Sequence, residues 1–279
     1  MVQNRKILDI LSFLWYNIDT EKTGDFPTER TILMTNTAKQ IQLDTSAVNI
    51  EISSYRDEHR TAPIPRGSNT TSRGVKKATA ADPIRDPAKI NELAEFYLHN
   101  AKTHRLGLRN RMAFIIGVTT GLRVSDILKL KIGDVVRPNG EFITHLTVRE
   151  KKTGKTNDPK LGVAARKAIA EYLEDLNGEF SFDDYLIRSN KGGKLTVTQF
   201  YRIINAAESA LGLTDHISTH SMRKTYGYQT IRQNPDDSLA VVHLQGMFNH
   251  SSMQTTLTYC GISRDEEDKY YDGINELIK

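Results

Sequence analysis

Residues 63–87 constrain the fold more than any other stretch of this chain. Their sequence, PIPRGSNTTSRGVKKATAADPIRDP, holds four of the eight prolines and has no apolar periodicity. Proline fixes φ and lacks a backbone donor, so neither a continuous helix nor a central strand runs through such a segment. The chain is therefore read as a smaller unit, residues 1–62, joined by a linker, residues 63–87, to a larger unit, residues 88–279. Arg66, Arg73, Lys76 and Lys77 make the linker basic. On an extended backbone those charges suit a phosphate backbone, and a solvated linker with no partner fits the composition equally well.

The composition of the 279 residues, 38% hydrophobic and 26% charged, is that of a soluble globular protein. No apolar run approaches the roughly 18 to 20 residues of a membrane helix, so no membrane partner is expected. The opening MVQNRKILDILSFLWYN places basic residues before an apolar stretch, as a secretory signal does. Asp9 interrupts the stretch, its apolar residues recur at helical spacing, and no small-residue cleavage site follows. A helix over residues 5–16 and a cytoplasmic protein are expected instead. A single cysteine, Cys260, leaves no disulfide framework and no cysteine-based zinc site. A net charge of +4 and a pI near 9.0 are mildly basic, too mildly to choose a partner.

In the smaller unit, TAKQIQLDTSAVNIEISSYRDE predicts two short helices with a turn near Leu43 and Asp44, the second capped by Thr45 or Ser46. Ala38 and Val48 stand where a helix-turn-helix wants a small residue and a buried aliphatic one, with Gln42 where the turn glycine would be. A DNA-reading helix and an ordinary helical hairpin both remain open. In the larger unit, helical patterns cover Pro87 to Lys102, Asn110 to Thr119, Ser125 to Leu130, Val163 to Leu176, Val197 to Leu211, and His220 onward. Phe142 to Arg149 alternates Ile143, His145 and Thr147 with Thr144, Leu146 and Val148, which predicts a strand, and KKTGK follows as its turn. The expected fold is mainly α, with a small antiparallel sheet, three-stranded, at one edge of the larger unit.

Three groups of polar residues carry possible chemistry. Arg123, just past Gly121, leads a helix whose neighbours look buried, and an arginine on a first turn is placed to meet an anion. An ion pair with Asp126 or Asp134 explains it equally well. His220 and Arg223, three apart, share one helix face, where a guanidinium can bind two phosphate oxygens and an imidazole can move a proton. A metal at His220 has no second ligand at supporting spacing. His250 lies nine residues before Tyr259, with hydroxyl residues between them, and Tyr259 alone reads as an ordinary half-buried tyrosine.

Taken in order, TGLRVSDILKL, HSMRKT and NHSSMQTTLTY resemble the three boxes of the tyrosine recombinase (phage integrase) family. The resemblance covers about residues 88 to 270. It implies a tyrosine-recombinase catalytic domain at 88–279 behind a small, helical DNA-binding domain at 1–62. It assigns catalytic positions to Arg123, His220, Arg223, His250 and Tyr259, and a β-hairpin lysine to Lys152, with Lys151 or Lys155 as alternative alignments. Phe248-Asn249 replaces the usual Leu-Gly before the third-box histidine; asparagine tolerates positive φ, so it can stand in for glycine there. Asp126 stands where a glutamate is more usual, and the smaller unit does not match the family's common core-binding domain.

What the resemblance implies is chemistry on double-stranded DNA. Tyr259 attacks a phosphodiester to form a 3′-phosphotyrosyl bond, Arg123 and Arg223 hold the non-bridging oxygens, and His220 acts as base. Lys152 protonates the leaving 5′-oxygen and His250 bonds the phosphate, with no metal and no cofactor. Lys151, Lys155 and the linker residues Arg66, Arg73, Lys76 and Lys77 would contact DNA. A homotetramer on two DNA sites, a four-way junction and accessory DNA-bending proteins complete the expectation. The segment ISRDEEDKYYDGINELIK has apolar Ile274, Leu277 and Ile278 at helical spacing, suited to docking on a neighbouring subunit or folding back on its own. A type IB topoisomerase or resolvase outcome, and a DNA-binding regulator that no longer cuts, are the competing readings.

Overall fold

The computed structural model describes residues 81–149, 154 and 156–275. The N-terminal unit, with its helix-turn-helix reading, lies outside the described residues, as do Arg66, Arg73, Lys76, Lys77, Lys151, Lys152, Lys155, Leu277 and Ile278.

The described residues are mainly helical. Helix α1, Pro87–His99, is started by Asp86, whose carboxylate accepts from the Ala88 amide at 2.8 Å, and by Pro87, whose missing donor costs nothing in the first turn. It buries Leu93, Ala94 and Tyr97 on one face. Helix α2, His104–Thr120, is capped by Thr103 and buries Leu108, Met112, Ala113, Phe114 and Ile116, so it runs through the core rather than over it. It packs against α1, against α4 (Val163–Asp175) and against α6 (Thr219–Gln233). At Gly107 its backbone lies under α1, where a Cβ would come within 2.0 Å of the Leu98 carbonyl oxygen. Helix α2 stops at Gly121, whose φ of +61° is the left-handed region open to glycine.

A short helix α3, Val124–Ile127, and a 3-10 turn, Ile132–Asp134, lead to the sheet. Strands β1, Val148–Arg149, and β2, Thr156–Asn157, pair antiparallel in the register Val148 with Asn157 and Arg149 with Thr156. Of the alternating segment from Phe142, only Val148–Arg149 is regular strand, and its remaining pairings are the single bridges Val136–Phe142 and His145–Lys160. The regular sheet thus has two strands among the described residues, and the expected third is reduced to one bridge. Leu146 donates to the Pro159 carbonyl at 2.9 Å, and Pro159 has no N–H with which to return the bond, so the ladder breaks there.

Helix α5, Val197–Ala210, is joined to α1 by the buried Tyr97 hydroxyl, which donates to the Ile204 carbonyl at 3.0 Å. Helices α7 (Ser238–Phe248), α8 (Met253–Cys260) and α9 (Ile262–Asn275) follow α6. Asp237 and Ser252 cap α7 and α8, and left-handed Asn249 and Gly261 end them. These helices gather around a second apolar cluster of Tyr228, Leu244, Phe248, Cys260 and Ile262. The far part of α9 leaves Tyr271 and Ile274 exposed. The chain enters along α6: the Ile84 amide donates to Thr225 Oγ1 at 2.8 Å, Gln229 Nε2 donates to the Ile84 and Arg85 carbonyls, and Arg85 pairs with Asp265 at 2.9 Å. The end of the proline-rich segment is therefore packed, with Ile84 in the core.

The two glycines Gly107 and Gly246 should respond oppositely to substitution. Gly107→Ala is expected to destabilise by about 2 kcal/mol or more, because the obstacle is backbone. Gly246→Ala, with nothing within 4 Å of the new Cβ, should gain up to about 1 kcal/mol of helix propensity. Urea midpoints of the two variants decide it.

Candidate active site

Arg123, His220, Arg223, His250 and Tyr259 line one cleft of about 240 Å³, together with Phe248 and Asn249. Arg123 is the N-cap of α3, aimed by the left-handed turn at Gly121. Its Nη2 donates to the Phe248 carbonyl at 3.3 Å. The carboxylates considered as its partners are engaged elsewhere: Asp126 with Lys129 at 3.0 Å, and Asp134 with the Lys131 amide at 2.8 Å.

Arg223 is 4% exposed on α6. Its Nη1 donates to the Gly121 carbonyl at 2.6 Å and its Nη2 to the Met247 carbonyl at 3.4 Å, while its guanidinium lies over the Phe248 ring at 4.2 Å. All these acceptors sit at helix C-termini, where carbonyls lack intrahelical donors and carry partial negative charge. His220, one turn earlier on α6, is exposed at the rim. Partial burial, then the charges of Lys224, Arg223 and Arg123, lower its pKa.

Asn249 ends α7 at φ +56°, the left-handed turn its residue type allowed, and this sets His250 beside the cleft. His250 Nδ1 is 3.1 Å from Thr256 Oγ1, whose hydroxyl donates to the Ser252 carbonyl at 3.2 Å. One hydroxyl proton serves one acceptor, so the imidazole donates from Nδ1 and keeps Nε2 as its second contact. Burial, then Arg223 and Arg123, lower its pKa.

Tyr259 lies in the last turn of α8. Its ring meets those of His250 and Phe248 edge-on, at 5.0 and 5.5 Å between centroids. Burial raises its phenol above the ordinary value; the charge of Arg223, then that of Arg123, and a hydrogen bond from Arg223 draw it back. Lys224 Nζ stands 5.2 Å from the centroid of the same ring.

Sequence reasoning did not single out Lys224, Phe248 as a platform, or Thr256 as the partner of His250. Lys224 follows Arg223 directly, and only the turn of α6 against α8 tells which side it serves.

The profile described as the phage integrase family matches residues 89–265. The probable integrase/recombinase YoeC of Bacillus subtilis is 34% identical over 184 residues, which are 66% of this chain and 91% of that protein. The tyrosine recombinase XerC of Herpetosiphon aurantiacus is 28% identical over 186 residues, 66% of this chain and 57% of that protein. Among solved structures, the fold is similar to that of XerA recombinase, with a TM-score of 0.51 and 18% identity over 92% of this chain and 89% of that one. It is also similar to XerH site-specific recombinase bound to difH, with a TM-score of 0.52 and 21% identity over 68% and 52% of the two chains. The chain belongs to the phage integrase family of tyrosine-type site-specific recombinases.

The fold favours neutral imidazoles at His220 and His250. Below the ordinary imidazole pKa of about 6.5, the unfolded chain therefore binds more protons than the folded one. This contribution is complete above that range and is lost as pH falls through the lowered folded values. The urea midpoint should drop between about pH 7.5 and 5.5, and drop less in His250→Asn; an equal drop would show that His250 does not contribute.

Proposed function

We propose that this chain cleaves and rejoins DNA at specific sites through a 3′-phosphotyrosyl bond to Tyr259. The observation that supports this reading is the convergence of Arg123, His220, Arg223, His250 and Tyr259, far apart in sequence, on one cleft. A scissile phosphate there meets Arg123 and Arg223, whose guanidiniums stabilise the charge that gathers on the non-bridging oxygens. Donors of this kind are each worth about 3 to 4 kcal/mol. His220, kept neutral by its surroundings, takes the phenolic proton as the Tyr259 oxygen bonds to phosphorus. The bond to the 5′-oxygen breaks, Lys152 supplies its proton, and a 5′-hydroxyl leaves. The bound anion offsets the arginine field, so His250 can protonate at Nε2 and donate to a phosphate oxygen. Attack by a 5′-hydroxyl from another strand reverses each step, and the phosphotyrosyl bond conserves the energy for it.

The wider reading follows the family. Double-stranded DNA is the substrate, and a homotetramer on two DNA sites exchanges strands through a four-way junction, with accessory DNA-bending proteins where the site requires them. Residues 1–62 grip the DNA opposite the catalytic unit; Arg66, Arg73, Lys76, Lys77, Lys151 and Lys155 contact phosphates.

The test is covalent capture on nicked duplexes tiled across the DNA flanking the chain's own gene. Wild type is expected to give a boiling-resistant protein–DNA band and Tyr259→Phe none, with Arg223→Ala slower by about a hundred- to a thousand-fold. Binding without any such band would instead support a regulator that does not cut.

A further inference from the structure

Lys224 enters the mechanism above only through the charge that helps keep His220 neutral, yet it stands beside the nucleophile. It follows Arg223 on α6, is half-buried, and holds its ammonium 5.2 Å from the centroid of the Tyr259 ring, within the reach of a cation–π contact. Among the described residues that line the cleft Lys224 is not one, so it approaches the ring from outside the phosphate's place. The end of the proline-rich segment supplies its counter-charge. Burial favours the neutral amine; against it the Asp82 carboxylate, then Cys260, favour the ammonium, and Arg85 opposes it. Asp82 is itself pinned, its amide donating to the His216 carbonyl at 2.9 Å and its Oδ2 accepting from the His216 amide at 3.2 Å.

We propose that Lys224 is a positioning residue for the nucleophile: its ammonium holds the Tyr259 ring against Phe248 and His250 and stabilises the charge that the phenol develops as it attacks. The proposal rests on Tyr259 being the nucleophile. Once a phosphate occupies the cleft, its oxygens neutralise much of the charge of Arg123 and Arg223. The phenolate spreads negative charge into its ring, and a cation over that ring remains to meet it. Cys260, adjacent in sequence, has a thiol pushed up to about 12 by burial, so near neutral pH it is uncharged.

The experiment compares Lys224→Met, of similar length and neutral, with Lys224→Arg, carrying Lys224→Gln as a second neutral variant. Single-turnover adduct formation is followed at saturating duplex, with duplex affinity measured in parallel. The neutral variants are expected to react about ten-fold more slowly at unchanged affinity, with arginine restoring most of the rate. Wild-type rate in the neutral variants, or lost affinity at unchanged rate, overturns the proposal, as does arginine as slow as methionine. A wild type that forms no adduct on any duplex overturns the phosphotyrosyl reading instead. In that event ¹³C-tyrosine NMR of the free protein, with Tyr259 assigned through Tyr259→Phe, still decides the placement of Lys224. Lys224→Met should move Tyr259 ionisation to higher pH, and an unmoved resonance overturns the contact.

Discussion

The C-terminal end of α7 holds the site together. Asn249 turns left-handed, α7 stops, and the carbonyls of Met247 and Phe248 are left to find donors outside the helix. Arg223 takes the first and Arg123 the second, while the other arm of Arg223 reaches the Gly121 carbonyl at the end of α2. A buried guanidinium without partners would cost several kcal/mol, on the order of 3 to 5. Here the helix-end carbonyls of Gly121 and Met247 accept from it. Both arginines are thus oriented by carbonyls at helix ends, on the side of the cleft they line.

That field shapes every other group. Burial lowers His220 and His250 first and the arginines add to it, while the same charges draw the Tyr259 phenol down against the burial that raises it. The second apolar cluster serves this balance as much as stability. Phe248 packs under Arg223 and beside Tyr259, and Cys260 and Ile262 bury the end of α8 and the start of α9. Thr256, fully buried one turn before Cys260, fixes His250 from the same helix that carries Tyr259. His250 and Tyr259 are therefore held by one helix, so a displacement of α8 would disturb both together.

Much of this was legible in the residues. The left-handed turn at position 249 follows from asparagine, and the common helix face of His220 and Arg223 follows from a spacing of three. Helix positions came from periodicity and caps; the ends at Asp175 and Ala210 differ by one residue, whereas the helix expected from Asn110 starts six residues earlier, at His104. The sheet was less legible. Alternation from Phe142 to Arg149 promised a strand, but a strand needs a partner able to return its bonds, and Pro159 is not one. Nor did composition mark residues 82–86 as packed: Ile84 is a lone apolar residue among prolines and charges, and only α6 gives it a place in the core.

The sequence by itself determined the class of protein, because three short boxes in a set order combine side chains that few other chemistries need together. It also determined the turns at Gly121 and Asn249, since backbone conformation there depends on the residue in place. The tertiary structure decided which acceptors hold the arginines, that Thr256 holds His250, and that Lys224 faces Tyr259. Those contacts join α2, α6, α7 and α8 across long separations in the chain. Local propensity carries no information about such distances; only the packing of the two apolar clusters sets them.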